Sequence, residues 1–282
     1  MNDTLSKNMV RDFVASSVTK SQIALIGSIL GFGFIGANSV QAASISLGTA
    51  SNFAVLADST VTNIGSSIIT GDLGVSSGSA VTGFPPGIVT PPGTIHAADA
   101  VALQAQADNQ AMYNYLAGLV LTQNLTGQNL GGQTLTPGVY FFSSSAQLTG
   151  TLTLNSLGDP NALFVFQIGS TLTTASNSSV VTNNGSDYPN VFFQVGSSAT
   201  LGTGTQFKGN ILANTNITLN TSANIECGRA LAQNGAVTLD TNNVSTACAS
   251  IQQVPEPFTI IGTLVGSTAA LRMRKKLKAS GF

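Results

Sequence analysis

The sequence predicts a mostly β fold in which short strands stack as the coils of a β-solenoid, with one long α-helix packed alongside. Two observations support this fold class. Leu-x-Thr segments recur in the C-terminal half with threonines at positions 174, 203, 221 and 241, so that the last two steps are 18 and 20 residues. A single stretch at 95–120 instead has apolar residues at the three- and four-residue spacing of a helix.

The composition indicates a folded domain with little charge. Of the 282 residues, 43% are hydrophobic and 7% are charged, and there is no Trp. Positions 44–254 contain eight acidic and two basic residues, a balance of −6, and the other eight basic residues lie towards the two ends. An acidic body without a basic patch excludes nucleic-acid binding.

Residues 1–43 have the features of a secretory signal peptide. Lys7, Arg11 and Lys20 precede an apolar run at 23–35, and small residues near position 42 suit cleavage. The run is short for a membrane span. A buried helix of the domain is the alternative, which the flanking residues disfavour. We therefore expect the folded domain at 44–250.

The body begins with short strand-like runs at 52–57, 60–64 and 67–75, separated by Gly and Asn. A Pro/Gly-rich loop follows, and then the helical stretch 95–120. Thr94 is a suitable N-cap for that helix. Its apolar stripe is broken only at Asn109 and is expected to pack on a flank of the solenoid.

Strands resume after the helix at 135–141. Two pairs of later runs repeat each other, 164–169 with 191–196 and 209–213 with 228–232. Each run is expected to form one side of a coil, with alternate large residues pointing into the core.

The two cysteines, Cys227 and Cys248, are 21 residues apart, which is about one coil. Stacking could bring their side chains together, and an exported protein favours a disulfide that closes the last coils. Two free buried thiols are the alternative, because sequence does not establish connectivity.

Residues 251–282 resemble the PEP-CTERM sorting signal of Gram-negative bacteria, including cyanobacteria. Pro255-Glu256-Pro257 is followed by an apolar run at 258–271 and by basic residues at 272–276. The resemblance implies a transient membrane anchor, removal by an exosortase-type enzyme, and export to the cell surface or extracellular matrix. A simple membrane anchor is the alternative, although the run is short for a permanent span.

Several segments of the body, in chain order, are similar to the microbial ice-binding proteins of the discontinuous β-helix type. They are 47–56, 69–75, 135–140, 164–167, 209–212 and 228–240. The resemblance implies a right-handed β-helix of triangular section, with the long helix alongside and with N-terminal strands joining coils formed by the C-terminal part. Ice binding through one flat face is the family's usual activity.

In some members of that family the face carries a Thr-Ala/Gly-x-Thr/Asn motif, which Thr174-Ala175-Ser176-Asn177 matches. The segments at Thr203 and Thr221 each depart at one position, and the segment at Thr241 keeps only the threonine. The resemblance therefore implies an ice-binding set formed by the threonines and amides of the repeats: Thr174, Asn177, Thr203, Thr205, Gln206, Thr221, Asn224 and Thr241.

A column of threonines is physically suited to such contact. β-Branched side chains hold their methyl and hydroxyl groups in few rotamers, and stacked coils repeat them at about 4.8 Å. Threonine ladders also stabilise ordinary solenoids by stacking like residues, which is the structural alternative. The expected partner is the ice crystal surface, bound by a monomer without a cofactor or a metal.

An enzyme is not expected. The single histidine, His96, is placed at the start of the expected helix without a catalytic partner set, and Asp58 and Asp72 lie in strand–turn contexts where Asp commonly bonds to backbone. The competing function is a cell-surface or matrix adhesin that binds polysaccharide. The scarcity of exterior aromatic residues disfavours it.

Overall fold

The computed structural model describes residues 45–184 and 190–248. The predicted signal peptide at 1–43 and the predicted sorting segment at 251–282 lie outside these residues. Within them, no helix combines the length and the apolar character needed to cross a membrane.

The described chain contains 22 strands, one 3-10 helix at Gly48–Asn52 and one α-helix, α1, at Ala100–Ala117. In chain order the strands are β1 (Phe53–Ala57), β2 (Thr60–Ile64), β3 (Ile68–Thr70), β4 (Asp72–Val75), β5 (Ala80–Thr82), β6 (Ile88–Thr90), β7 (Ile95–Ala97), β8 (Gln123–Asn124), β9 (Thr134–Leu135), β10 (Gly138–Phe142), β11 (Ala146–Leu148), β12 (Thr151–Asn155), β13 (Phe164–Ile168), β14 (Leu172–Thr174), β15 (Ser179–Asn183), β16 (Val191–Val195), β17 (Ala199–Leu201), β18 (Gln206–Ala213), β19 (Ile217–Leu219), β20 (Asn224–Ala232), β21 (Val237–Asp240) and β22 (Asn243–Ser245).

The strands form one sheet of seven strands and one of fifteen, and the pairings among the described strands are parallel. The seven-stranded sheet has the order β11-β14-β17-β19-β21-β2-β5. Strands from the N-terminal part therefore lie beside the last strands of the chain: β2 pairs with β21, β1 with β20, and β3 with β22. The order of strands in space thus differs from their order in the chain.

The fifteen-stranded sheet bends within β18 and β20. Pairing is irregular between Lys208 and Asn210, and Gly209 has φ +115°. A Cβ on the adjacent Gly228 would lie 1.9 Å from the Gly209 carbonyl oxygen, so the bend requires a glycine there. The halves of β18 and β20 on either side of this bend consequently belong to different surfaces of the molecule.

Large apolar side chains fill the space between the strands. Phe166 stacks on Phe193 at 4.4 Å between ring centroids, and Tyr140 and Phe207 extend this row at 5.4 and 4.7 Å. The three phenylalanines are fully buried. Tyr140, Phe166 and Phe193 occupy the same position in successive layers, because they are register partners; Phe207 comes from the other half of β18, since the register partner of Phe193 there is Ile211. One continuous column of aromatic rings therefore supports the layers from within.

The α-helix is shorter than predicted. It spans Ala100–Ala117 rather than 95–120, because Ile95–Ala97 forms β7 and pairs with β4. Ala98 has a positive φ of 54°, which interrupts the chain before the helix. The N-cap is Asp99, not Thr94, and its carboxylate accepts a 2.8 Å hydrogen bond from the Ala102 amide. The predicted position of His96 at the helix start is wrong for the same reason, since His96 lies in β7.

The helix packs on one surface of the fifteen-stranded sheet, as the apolar stripe predicted. Ala105, Met112 and Leu116 contact outward-facing apolar side chains of the strands beneath, namely Leu56, Val165, Phe192, Leu212 and Leu231. Asn109, which interrupts the stripe, is also buried. The Gln167 side chain donates to the carbonyls of Leu116 and Leu119 and so fixes the end of the helix to β13.

Cys227 and Cys248 are joined by a disulfide, with their Cα atoms 4.3 Å apart. Cys227 lies at the bend of β20, and Cys248 follows β22. The bond therefore links the layer of β22 to the neighbouring layer of β20.

Candidate functional site

Three outward surfaces could bear a function, and α1 covers one of them. The first of the two open surfaces belongs to the seven-stranded sheet. The other open surface is formed by β9, β12, β15, β22, β3 and β6 together with the N-terminal halves of β18 and β20. Counted after the helix-covered surface and the seven-stranded sheet, it is the third surface, and this name is kept below.

The seven-stranded sheet carries an unbroken column of threonines on its outer side. Strand by strand, the registered residues are Gln147, Thr173, Thr200, Thr218, Thr238, Thr62 and Thr82. We call the six threonines the threonine ladder. Neighbouring members lie about 4.8 Å apart, as parallel strands require.

Alternation along each strand explains why these side chains face outwards. In β14, β17 and β19 the residue before the ladder threonine is buried, as in Leu172, Ala199 and Ile217. The ladder members themselves are exposed or half-buried. Their β-branched side chains are rotationally restricted, and the strands below are packed against the core. The hydroxyl and methyl groups thus form a regular, rigid array.

Charge is almost absent from this sheet. Among the residues of its seven strands, Asp240 alone is charged. Its carboxylate accepts hydrogen bonds from the hydroxyls of Thr221 and Thr241, at the edge of the sheet. The ladder therefore presents neutral hydrogen-bonding groups and methyl groups.

The third surface differs in chemistry. Lys208 of β18 and Glu226 of β20 are register partners on it, and Ile68 and Ile88 are exposed neighbours at one end. Charged and bulky apolar side chains interrupt any regular array there.

Two of the predicted site residues are not on a surface. Thr174 is 3% exposed and Thr205 is 0% exposed, and their hydroxyl oxygens lie 2.8 Å apart inside the molecule. The Leu-x-Thr pattern aligns Thr174 with Thr203, and the register of the strands differs from that alignment by two residues. Leu172 is the partner of Ala199, so Thr174 occupies the inward position held by Leu201 in the next layer, and Ser176 is the equivalent of Thr203. The expectation that Thr174 and Thr205 contact ice is therefore wrong.

The other predicted residues lie along one edge of the seven-stranded sheet. Asn177, Thr203, Thr221 and Thr241 are exposed in the turns at 175–178, 202–205, 220–223 and 240–242, which we call the corner turns. Gln206 and Asn224 follow these turns as the first residues of β18 and β20, and face outwards on the third surface.

The corner turns stack in register. The amide of each positive-φ residue donates to a carbonyl of the neighbouring turn, from Asn177 to Thr203 and from Gly204 to Thr221. A Cβ on Gly204, where φ is +71°, would lie 2.5 Å from the Asn177 Oδ1 atom. The structure thus brings the exposed predicted residues together as a column beside the threonine ladder, instead of on its face.

The threonine ladder was missed from sequence, although a signal for it was present. Its C-terminal members stand one residue before Thr174, Leu201, Leu219 and Leu239, in strands that alternate apolar and threonine residues. The Leu-x-Thr pattern emphasises the threonines two residues after each leucine, of which Thr203, Thr221 and Thr241 lie in turns and Thr174 is buried at the end of β14. Giving precedence to the period of two within each strand would have selected the outward set.

His96 belongs to a group of hydrogen-bonded side chains near the start of α1. One ring nitrogen lies 2.8 Å from the Thr94 hydroxyl and the other 2.7 Å from Asp99. The Ala102 amide, followed by the His96 side chain, lowers the pKa of Asp99 below its usual value. Among the described residues no three His, Cys, Asp or Glu side chains are grouped to hold a metal ion. This network connects β4 and β7 to the helix start.

Comparison with known proteins identifies relatives of the chain. Residues 55–245 match the model of the family described as Ice-binding-like. The chain is 68% identical over 236 residues to an ice-binding protein of Nostoc sp. (strain HG1), covering 82% of this chain and 87% of that protein. It is also 34% identical over 216 residues to an ice-binding protein of Flavobacterium frigoris (strain PS1), covering 71% and 76%.

Solved structures agree with these relatives. The ice-binding protein of the Antarctic ascomycete Antarctomyces psychrotrophicus is similar with a TM-score of 0.69 at 42% identity, covering 73% of this chain and 99% of that chain. An ice-binding protein from an Arctic yeast has a TM-score of 0.65 at 33% identity, covering 72% and 94%. The arrangement of parallel sheets with one helix is thus shared with these proteins.

Proposed function

Because the chain belongs to the Ice-binding-like family, we propose that it binds ice through the outer side of the seven-stranded sheet. The observation that carries this proposal is the threonine ladder, which continues over six adjacent strands without a charged member. Adsorption to ice would stop the growth and recrystallisation of the crystals.

The physical basis is an ordered layer of water. Methyl groups favour water cages around them, and hydroxyl groups anchor those waters by hydrogen bonds. Because the ladder is rigid and regular in two dimensions, the water above it adopts a fixed spacing. If this spacing matches a plane of ice, many weak contacts form together, and the molecule stays bound.

The corner turns extend the same surface. Thr203 and Thr221 are exposed with the ladder's spacing between layers, and Asn177 and Thr241 lie in the neighbouring turns. We include these four residues in the ice-contacting set, with Gln206 and Asn224 at its border. Thr174 and Thr205 are excluded from contact by burial.

We further infer that the layers wind as a right-handed β-helix of triangular section and that the protein is exported and works as a monomer without enzymatic activity. The secretory features of 1–43 and the PEP-CTERM-like features of 251–282 support export to the cell surface or matrix, by way of a transient membrane anchor that an exosortase-type enzyme removes. The relatives' names as ice-binding proteins, from bacteria and fungi, support the activity.

Thermal hysteresis and inhibition of ice recrystallisation, measured with the purified protein at micromolar concentration, test the proposal. We expect both activities in the folded protein. A folded protein that shows neither, and that is not incorporated into a growing ice crystal, would leave the polysaccharide-binding adhesin as the leading function. Binding to exported polysaccharide would then be measured with the same preparation.

A further inference from the structure

Beneath the corner turns lies a column of buried residues, each standing immediately before a strand of the third surface. These residues are Ser178, Thr205, Ala223, Asn242 and Ser67, and all five are fully buried. We call them the inner corner column. Four of the five carry a polar side chain, although they point into the molecule.

The polar groups of this column bond to the backbone of neighbouring layers, at a corner turn or at the end of the strand before it. The Ser178 hydroxyl donates to the Leu148 carbonyl at 3.0 Å, and the Thr205 hydroxyl donates to the Ala175 carbonyl at 3.3 Å. The Asn242 amide reaches the carbonyls of both Asn220 and Ala223, at 2.9 and 2.8 Å. Each bond connects one layer to an adjacent layer.

Thr174 adds a second buried hydroxyl at the same edge. It accepts the Gly202 amide at 2.8 Å and lies 2.8 Å from the Thr205 hydroxyl oxygen. The equivalent inward position is a leucine in four other layers, Leu148, Leu201, Leu219 and Leu239, and an asparagine, Asn63, in β2.

The core itself does not require these hydroxyls. Leucine serves at the position of Thr174 in other layers, and Ala223 serves at the position of Thr205. A buried hydroxyl is less favourable than an apolar group unless it is hydrogen-bonded, and the Thr174 and Thr205 hydroxyls bond to the backbone of corner turns, at Gly202 and Ala175. What the hydroxyls fix is therefore the position of the turns.

We propose that Thr205 and Thr174 are positioning residues for ice binding: their buried hydroxyls hold the corner turns so that Thr203, Asn177 and the adjacent ends of the ladder strands keep one spacing. This rests on the proposed function. An ice-contacting array tolerates only displacements of roughly 0.5 Å from the productive geometry, and these hydroxyls add side-chain anchors to the backbone hydrogen bonds that hold the turns.

The test is Thr205→Val, which keeps the shape of the side chain and removes its hydroxyl. We expect a loss of thermal hysteresis, because the array moves out of its productive geometry, with faster hydrogen exchange of the Asn177 and Gly204 amides. Thr205→Ser retains the hydroxyl and should keep the activity of the unsubstituted protein. Ile211→Val, a core change on the helix-covered side, should lower the melting temperature without changing hysteresis near 0 °C.

The outcomes separate the possibilities. Undiminished hysteresis in folded Thr205→Val would overturn the positioning role, as would equal losses in Thr205→Val and Thr205→Ser. If Thr205→Val does not fold, Thr174→Val replaces it and is judged by the same comparison. Absence of hysteresis in the unsubstituted protein would instead overturn the proposed function, and this inference with it.

Discussion

Thr218→Tyr is the sharpest test of the ladder, because Thr218 lies at its centre. Its register partners are Thr200 on one side and Thr238 on the other. A tyrosine ring is wider than the gap of about 4.8 Å between neighbouring strands, so it would lift those two threonines from ice as well as replacing Thr218. Three of the six ladder members would be lost.

The size of the effect follows from this count. If each threonine contributes about 0.5–1.5 kcal/mol of net hydrogen bonding, three lost contacts weaken adsorption by about 1.5–4.5 kcal/mol. This corresponds to an affinity about 10-fold to 2000-fold lower. The position is on the outside of the sheet, so the free energy of unfolding should change by only about 0.5 kcal/mol.

Thermal hysteresis and incorporation into a growing ice crystal would measure the loss, and circular dichroism would confirm the fold. Thr153→Tyr is the matched control, since Thr153 faces outwards on the third surface, where it registers with Val181. The ladder reasoning is refuted if Thr218→Tyr keeps full hysteresis. It is also refuted if Thr153→Tyr loses as much activity as Thr218→Tyr.

Three further predictions concern stability and pH. Replacing both Cys227 and Cys248 by Ala removes a cross-link over 21 residues, so the free energy of unfolding should fall by roughly 3 kcal/mol. The melting temperature should fall by roughly 6–12 °C, and an unchanged melting temperature would contradict this prediction. Phe193→Ala leaves a cavity in the aromatic row and should cost about 3–5 kcal/mol, measurable by denaturant titration, whereas a cost near zero would show that the row is not a rigid core element. The pKa of Asp99 is lowered by the Ala102 amide and by His96, so the contribution of Asp99 to stability is present above its unfolded pKa and disappears as the pH falls through its folded pKa. Asp99→Asn should therefore flatten the acid side of the curve of stability against pH. An unchanged acid slope would contradict this role of Asp99.

The fold class follows from the sequence because periodicity is a local property. Repeated strand-like runs near 20 residues apart predicted parallel strands in layers, and the three- and four-residue stripe predicted one helix. The helix boundary was less accessible. Ile95–Ala97 has the apolar spacing of a helical turn, but it forms a strand because it pairs with the edge of β4.

The site shows the limit of the sequence more clearly. The sequence by itself determined that threonine recurs in every layer and that charge is scarce in the body. The Leu-x-Thr pattern did not separate the threonines that lie in strands from those that lie in turns, although the period of two within each strand marks the outward ones. Tertiary packing decided this: Thr174 is paired with Thr205 in the interior, while Thr173 stands in the ladder. The physical reason is that a side chain's exposure depends on the strands packed beside it, and those strands come from distant parts of the chain.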